Sequence, residues 1–271
     1  MALSVGDVVT HLKELAPLAR AAEWDNVGLL LGDLQTDVKR VMTCLTLTPD
    51  VAKEAIERRA ELIVTHHPIL FRPAKTLTTN TSEGRMILGL VRAGASVYSA
   101  HTAYDNAPGG LNDLLATNLG LQSVAPLKPF VDDPKAGEGR IGILSKKIPF
   151  GEFARLAKQV LGAAHVDCVG DANRTIGKVA IVCGAGGEFL KDAMKARAEV
   201  FLTGELRFHD YLMAEAAGVS LCLPGHYASE RIGMEALAAR LKSQFSGLDV
   251  WASEHERDPI HKVGDLWKKR L

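Results

Sequence analysis

Short apolar runs alternate with amphipathic segments along almost the whole chain, and that alternation restricts the fold more than any single residue. Val38 to Leu47, Leu62 to Thr65, Ala95 to Ala100, Lys178 to Cys183, Val200 to Thr203, Val219 to Leu223 and Asp249 to Ala252 are short, apolar and often β-branched. Each reads as a buried strand, as do Arg140 to Ser145 and shorter runs near Leu29 and Val166. Between them the apolar residues recur at helical spacing: Val5, Val8, Val9, Leu12 and Leu15 lie on one face of a helix stopped by Pro17. Thr48-Pro49-Asp50 opens a helix to about Ala60, with Thr48 as cap and Pro49 in its first turn. Further helices are expected over 82–93, 111–119, 150–161, 188–197, 206–217 and 229–242. Strands alternating with helices predict an α/β protein whose mixed sheets are covered on their faces. Ala125 to Gly139 breaks the periodicity with prolines, glycines and charges, and reads as a lobe boundary or long connection.

With 271 residues, 47% of them hydrophobic, the chain can fill one large core or two modest ones. Lys plus Arg equal Asp plus Glu at 32 each, which argues against a broad phosphate-backbone footprint and hence against nucleic acid as a partner. No apolar run approaches the ~20 residues of a membrane span, and the N-terminus lacks a signal-peptide pattern. The four cysteines (Cys44, Cys168, Cys183, Cys222) lie far apart in apolar runs, each read as a small buried hydrophobe. A cytoplasmic, reducing setting is the default expectation.

Chemistry collects where the strands end. His66 and His67 stop the run Leu62 to Thr65, and Pro68 keeps His67 out of the helical region. His101 follows the strand ending at Ala100, with Asp105 four residues on. His226 follows the strand ending at Leu223, with Glu230 four residues on, a spacing that on a helix puts both on one face. His101 and Asp105 sit in a stretch read as a Gly/Pro-flanked loop. Open α/β sheets bind ligands beyond the carboxyl ends of their strands, so these groups can share one crevice. Four imidazoles and two carboxylates suit zinc, iron or manganese better than calcium or copper(I). Six donors exceed one tetrahedral ion and match two ions about 3.5–4 Å apart. Each residue alone also has an ordinary structural reading, as a hydrogen-bonded histidine or a helix-start carboxylate.

Five blocks carry a resemblance: Trp24-Asp25-Asn26-x-Gly28-Leu29, Thr65-His66-His67-Pro68, His101-Thr102-x-Tyr104-Asp105, Thr203-Gly204-Glu205 and Gly225-His226-Tyr227-x-Ser229-Glu230. In this order they resemble the NIF three-like family, whose bacterial members are labelled GTP cyclohydrolase type 2 homologues or dinuclear metal-centre proteins. The resemblance implies two α/β lobes, here 1–124 with 230–271 and 125–229 with no large inserted domain, and a metal site in the crevice between them. It implies two divalent ions held by His66, His67, His101, Asp105, His226 and Glu230, with Glu230 as the bridge, and assembly as a toroidal homohexamer.

Two functional classes follow. One is a metal-dependent hydrolase acting on a nucleotide or other phosphorylated small molecule, with Glu205 and His209 as candidates for proton transfer and Tyr104 and Tyr227 for substrate contacts. Gly184-Ala185-Gly186-Gly187 opens a helix after a strand, and its amides are a candidate phosphate cradle beside the plainer reading of a tight turn. The other class is a non-enzymatic carrier or scaffold that delivers iron or zinc to a partner. The ligand set is the same in both.

Overall fold

The computed structural model describes residues 3–261. Helix α1 (Val5–Leu15) starts at Ser4, whose hydroxyl accepts from the Asp7 amide while Asp7 reaches back to the Ser4 amide. Strands β1 (Gly28–Leu31) and β2 (Arg40–Cys44) follow. Helix α2 (Pro49–Glu57) is capped by Thr48, with Pro49 in its first turn. Next come β3 (Leu62–Thr65), α3 (Ser82–Arg92) and β4 (Ser96–Ser99). After them run α4 (His101–Asn106), α5 (Leu111–Asn118), β5 (Leu121–Pro129), β6 (Gly137–Pro149) and α6 (Phe150–Val160). The remainder is β7 (Asp167–Val169), β8 (Thr175–Val182), α7 (Leu190–Lys195), β9 (Val200–Thr203), α8 (Phe208–Ala216), β10 (Ser220–Leu223), α9 (His226–Gln244) and β11 (Asp249–Ala252).

Two mixed sheets result. The first has five strands in the order β1-β4-β3-β2-β11, parallel except for β1 at its edge. The second has six in the order β5-β6-β8-β9-β10-β7, with β8, β9 and β10 parallel and antiparallel strands on both flanks. One core lies between them: Val41, Leu62 and Val64 of the first sheet and Val179, Ile181 and Leu202 of the second join Leu111, Leu115, Met234 and Leu237 of α5 and α9. Separate clusters bury the outer faces, under α2 and α3 on one side and α7 and α8 on the other. Parallel strands buried on both faces read as unbroken apolar runs, which is why β3, β9 and β10 were legible as strands.

Three expectations change. The stretch 125–139 is a hairpin, not a linker: β5 pairs antiparallel with β6 from Leu121↔Leu144 to Pro129↔Gly137. Arg140, fully buried, fastens it to the α4–α5 region through Asp113 and the Ala107 carbonyl, and also binds the carbonyls of Gly137 and Gly139 in its own strand. His101 and Asp105 belong to a short helix rather than a loop, because the chain turns back into helical hydrogen bonds directly after β4. Helix α9 begins at His226, and residues 262–271, the end of the first expected lobe, lie outside the described residues. Cys44, Cys183 and Cys222 are buried as expected, but Cys168 is exposed on β7, an edge strand. Among the described residues no helix is long and apolar enough to cross a membrane.

Candidate metal centre

The parallel strands of both sheets end at one cleft. His66 and His67 leave β3, His101 leaves β4, and Gly184, Gly204 and Gly225 leave β8, β9 and β10. The six expected ligands come together there. His67 Nε2 and His226 Nε2 each lie 3.0 Å from Glu230 Oε2. His66 Nε2 lies 3.9 Å from Glu230 Oε1 and 3.6 Å from Asp105 Oδ1. The rings of His66 and His101 stand edge to face with centroids 5.2 Å apart. Donor atoms of His66, His67 and His101 form one group that could hold a metal ion, and those of His67, His226 and Glu230 form another, each within 4.8 Å.

Three of the imidazoles are held through their other nitrogen. His101 Nδ1 is 2.7 Å from Asp25 Oδ1, His67 Nδ1 is 2.7 Å from Thr46 Oγ1, and His226 Nδ1 is 3.0 Å from Glu205 Oε1. Such bonds orient the ring and leave Nε2 directed at the centre. Asp25 is fully buried and also accepts from the Thr102 amide and hydroxyl and from the Asn26 amide. His101 itself has φ +29°, a conformation that a non-glycine residue keeps only where its surroundings impose it.

The donors fit a cation. Both ring nitrogens of His66 and Oδ1 of Asp105 are buried with no hydrogen-bond partner, a costly arrangement unless something binds them. Burial drives the His66 imidazole well below its usual pKa, so it is neutral with a free lone pair. Burial, then the Glu230 charge, raises Asp105 above the usual carboxylate range. Glu230 is held well below that range: burial opposes ionisation, but bonds from His226 and His67 outweigh it. For His226 burial works against the charge, yet the bonds to Glu230 and then Glu205 raise it to about 9.

The glycines explain how Glu230 gets in. A Cβ on Gly184 (φ +63°) would overlap Glu230 Oε1, and one on Gly204 would stand 2.7 Å from the His226 Cα and 2.6 Å from the Gly184 carbonyl oxygen. The amides of Gly184 and Gly186 are taken by Ser229 Oγ and Thr203 Oγ1, so the loop serves close packing and two of its donors are unavailable to a phosphate.

Other expected residues lie differently. Glu205 is exposed and acts on His226, and His209 is exposed on α8 against Phe208, away from the cleft. Tyr104 is buried in the core, where burial raises its phenol to about 12, and the Tyr227 hydroxyl donates to the Glu256 carbonyl 3.3 Å away. Asp25 and Thr46 were not singled out as partners of the histidines. Asp25 lies in the first of the five blocks, whereas no local pattern marks Thr46, whose amide is bound by the buried Glu256 from 210 residues away.

The model of the family DUF34/NIF3 (NGG1p interacting factor 3) matches residues 3–259. The chain belongs to this family. A GTP cyclohydrolase 1 type 2 homolog of Clostridium perfringens is 35% identical, over 96% of this chain and 100% of that one. NIF3-like protein 1 of Drosophila melanogaster is 32% identical, over 97% and 91%. The crystal structure of a hypothetical protein of Staphylococcus aureus superposes with a TM-score of 0.89 at 27% identity, covering 97% of this chain and 100% of that one.

Proposed function

We propose that this member of the DUF34/NIF3 family is a metal-dependent hydrolase with a dinuclear centre. The observation that carries the reading is the placement of Glu230: it directs Oε2 toward His67 and His226 and Oε1 toward His66. His66, His101 and Asp105 would hold one ion, His226 and His67 the other, with Glu230 shared. When bound, two such ions supply Lewis acidity and a hydroxide at neutral pH. The unpartnered donors of His66 and Asp105 support the same assignment.

The chain's own part is to bind and orient. Asp25, Thr46 and Glu205 fix the rings of His101, His67 and His226, so that little reorganisation is needed when the centre fills. The cleft over the centre, ≈ 430 Å³, is large enough for a small molecule, and Trp24, Phe71, Val182 and Phe189 give its wall apolar surface. The acidic partners belong to the histidines, so Glu205 is assigned to positioning His226 rather than to proton transfer.

The test is turnover. Protein loaded with zinc or manganese is assayed on phosphoesters, nucleotides, amides and cyclic amidines, alongside EDTA-treated protein and Glu230→Gln. Hydrolysis that EDTA abolishes, added metal restores and Glu230→Gln lowers by about 100-fold or more is expected. Metal-loaded protein inert on the whole panel would favour the carrier reading.

A further inference from the structure

The cleft beside the centre has two unlike walls. On one, Trp24 (59% exposed) and Phe71 (48% exposed) meet edge to face with centroids 6.0 Å apart, and Trp24 meets the His101 ring in the same way. The backbone beside these rings is pinned. Leu70, just before Phe71, takes φ +53°, and His101 takes φ +29°. Asn26 Nδ2 secures the first bend through the Leu70 carbonyl at 3.0 Å, and Asp25 secures the second.

On the other wall stand Val182, Phe189, Glu138 and Glu188. Lys128 neutralises Glu138 at 2.6 Å and lies 5.7 Å from the Phe189 ring centre. Glu188 is exposed, and its charge, like that of Glu138, is felt at Lys128. No lysine or arginine lines the cleft, while Asp105, Glu138, Glu188 and Glu230 all do.

We infer that the cleft selects a small planar aromatic or heteroaromatic compound whose far edge is cationic or rich in N–H donors. The ring lies against Trp24 and Phe71, and the donor edge faces Glu188. The reacting group of such a compound would lie over His66 and Glu230, a part that rests on the hydrolase reading above.

The test uses two flat probes of equal size and opposite charge, 2-naphthamidine and 2-naphthoate, titrated into EDTA-treated full-length protein and followed by ligand-observed NMR. The amidine is expected to bind about tenfold more tightly or better, as one charge-assisted contact allows. In Glu188→Gln that preference should fall to about twofold, and in Trp24→Ala both probes should weaken by about fivefold or more, as loss of stacking implies. Equal binding of the two probes, a preference that survives Glu188→Gln, or no saturable binding of either overturns the inference. A separate zinc titration of the wild type reports the metal reading, so that failure of one is seen apart from failure of the other.

Discussion

Gly184 and Glu230 occupy complementary space: the glycine at the end of β8 lacks the one atom that would overlap the Oε1 of the carboxylate arriving from α9. Gly184→Ala therefore forces Glu230 to move or the β8 end to shift. The alanine also pays for φ +63°, about 1–2 kcal/mol. Gly120→Ala is the control, since φ there is +72° with nothing within 4 Å of the added Cβ. Both variants should lose similar stability from backbone strain, but only Gly184→Ala should lose zinc binding. Equal zinc uptake by the two, measured by equilibrium dialysis, would remove Gly184 from the account.

Asp25 acts through His101. With its carboxylate buried and 2.7 Å from His101 Nδ1, it fixes which ring nitrogen faces the centre. Asp25→Asn should weaken metal affinity by about 10–100-fold, the range typical of partners behind a metal-binding histidine. A chromophoric-chelator competition assay measures this. Wild-type affinity in a folded Asp25→Asn protein would contradict it.

Metal uptake should depend on pH through His226. Its pKa is raised to about 9, so below that pH a cation must displace a proton from the ring. Apparent affinity should climb as pH rises toward about 9, and metal should be released as pH falls through the histidine range. The metal-free protein behaves oppositely. A pKa raised above the ordinary 6.5 contributes stability that is complete below that value and is lost as pH rises through about 9. Thermal melts of EDTA-treated protein should thus fall in Tm between pH 7 and 9, while the metal-loaded form holds or gains. Parallel pH trends for the two forms would sink this prediction.

Glu54 tests how the far end of the chain reaches the site. This buried carboxylate accepts from Trp251 Nε1, Ser253 Oγ and the amides of Glu254 and His255. The same segment carries Glu256 to the amides of Leu45 and Thr46, and Thr46 holds His67. Burial opposes its ionisation, but the Ser253 and backbone bonds hold its pKa below the ordinary value, so its contribution is present at neutral pH and lost as pH falls through the depressed value. Glu54→Ala leaves buried donors unpaired and should cost about 3 kcal/mol, read from urea unfolding. A change under about 0.5 kcal/mol, the size of an ordinary surface substitution, would show that these bonds contribute little.

The parts of the fold and site that were legible are those with a local cause. Apolar runs such as Leu62 to Val64 must be buried strands, and a strand that stops at His66-His67 must present them at its end. His226 and Glu230 are four apart on one helix, so their meeting is a matter of helical pitch. What was not legible depends on contacts across the chain. The 125–139 hairpin is held by Arg140 reaching Asp113 and Ala107, and nothing in its own composition shows that. The turn of His101 into α4 and the role of Asp25 depend on a bond spanning 76 positions. Gly184 looked like part of a phosphate loop because its neighbour Glu230 lies 46 positions further along, beyond any local pattern. His209 lies four positions beyond Glu205 in sequence, but α8 carries it out to solvent, away from the cleft.

The central claim is that Glu230 stands between two ions, and anomalous diffraction from crystals equilibrated with zinc tests it most directly. The account predicts two peaks per chain, one on each side of the Glu230 carboxylate, one beside His66, His101 and Asp105 and the other beside His67 and His226. A single peak, or none near these side chains, would contradict it.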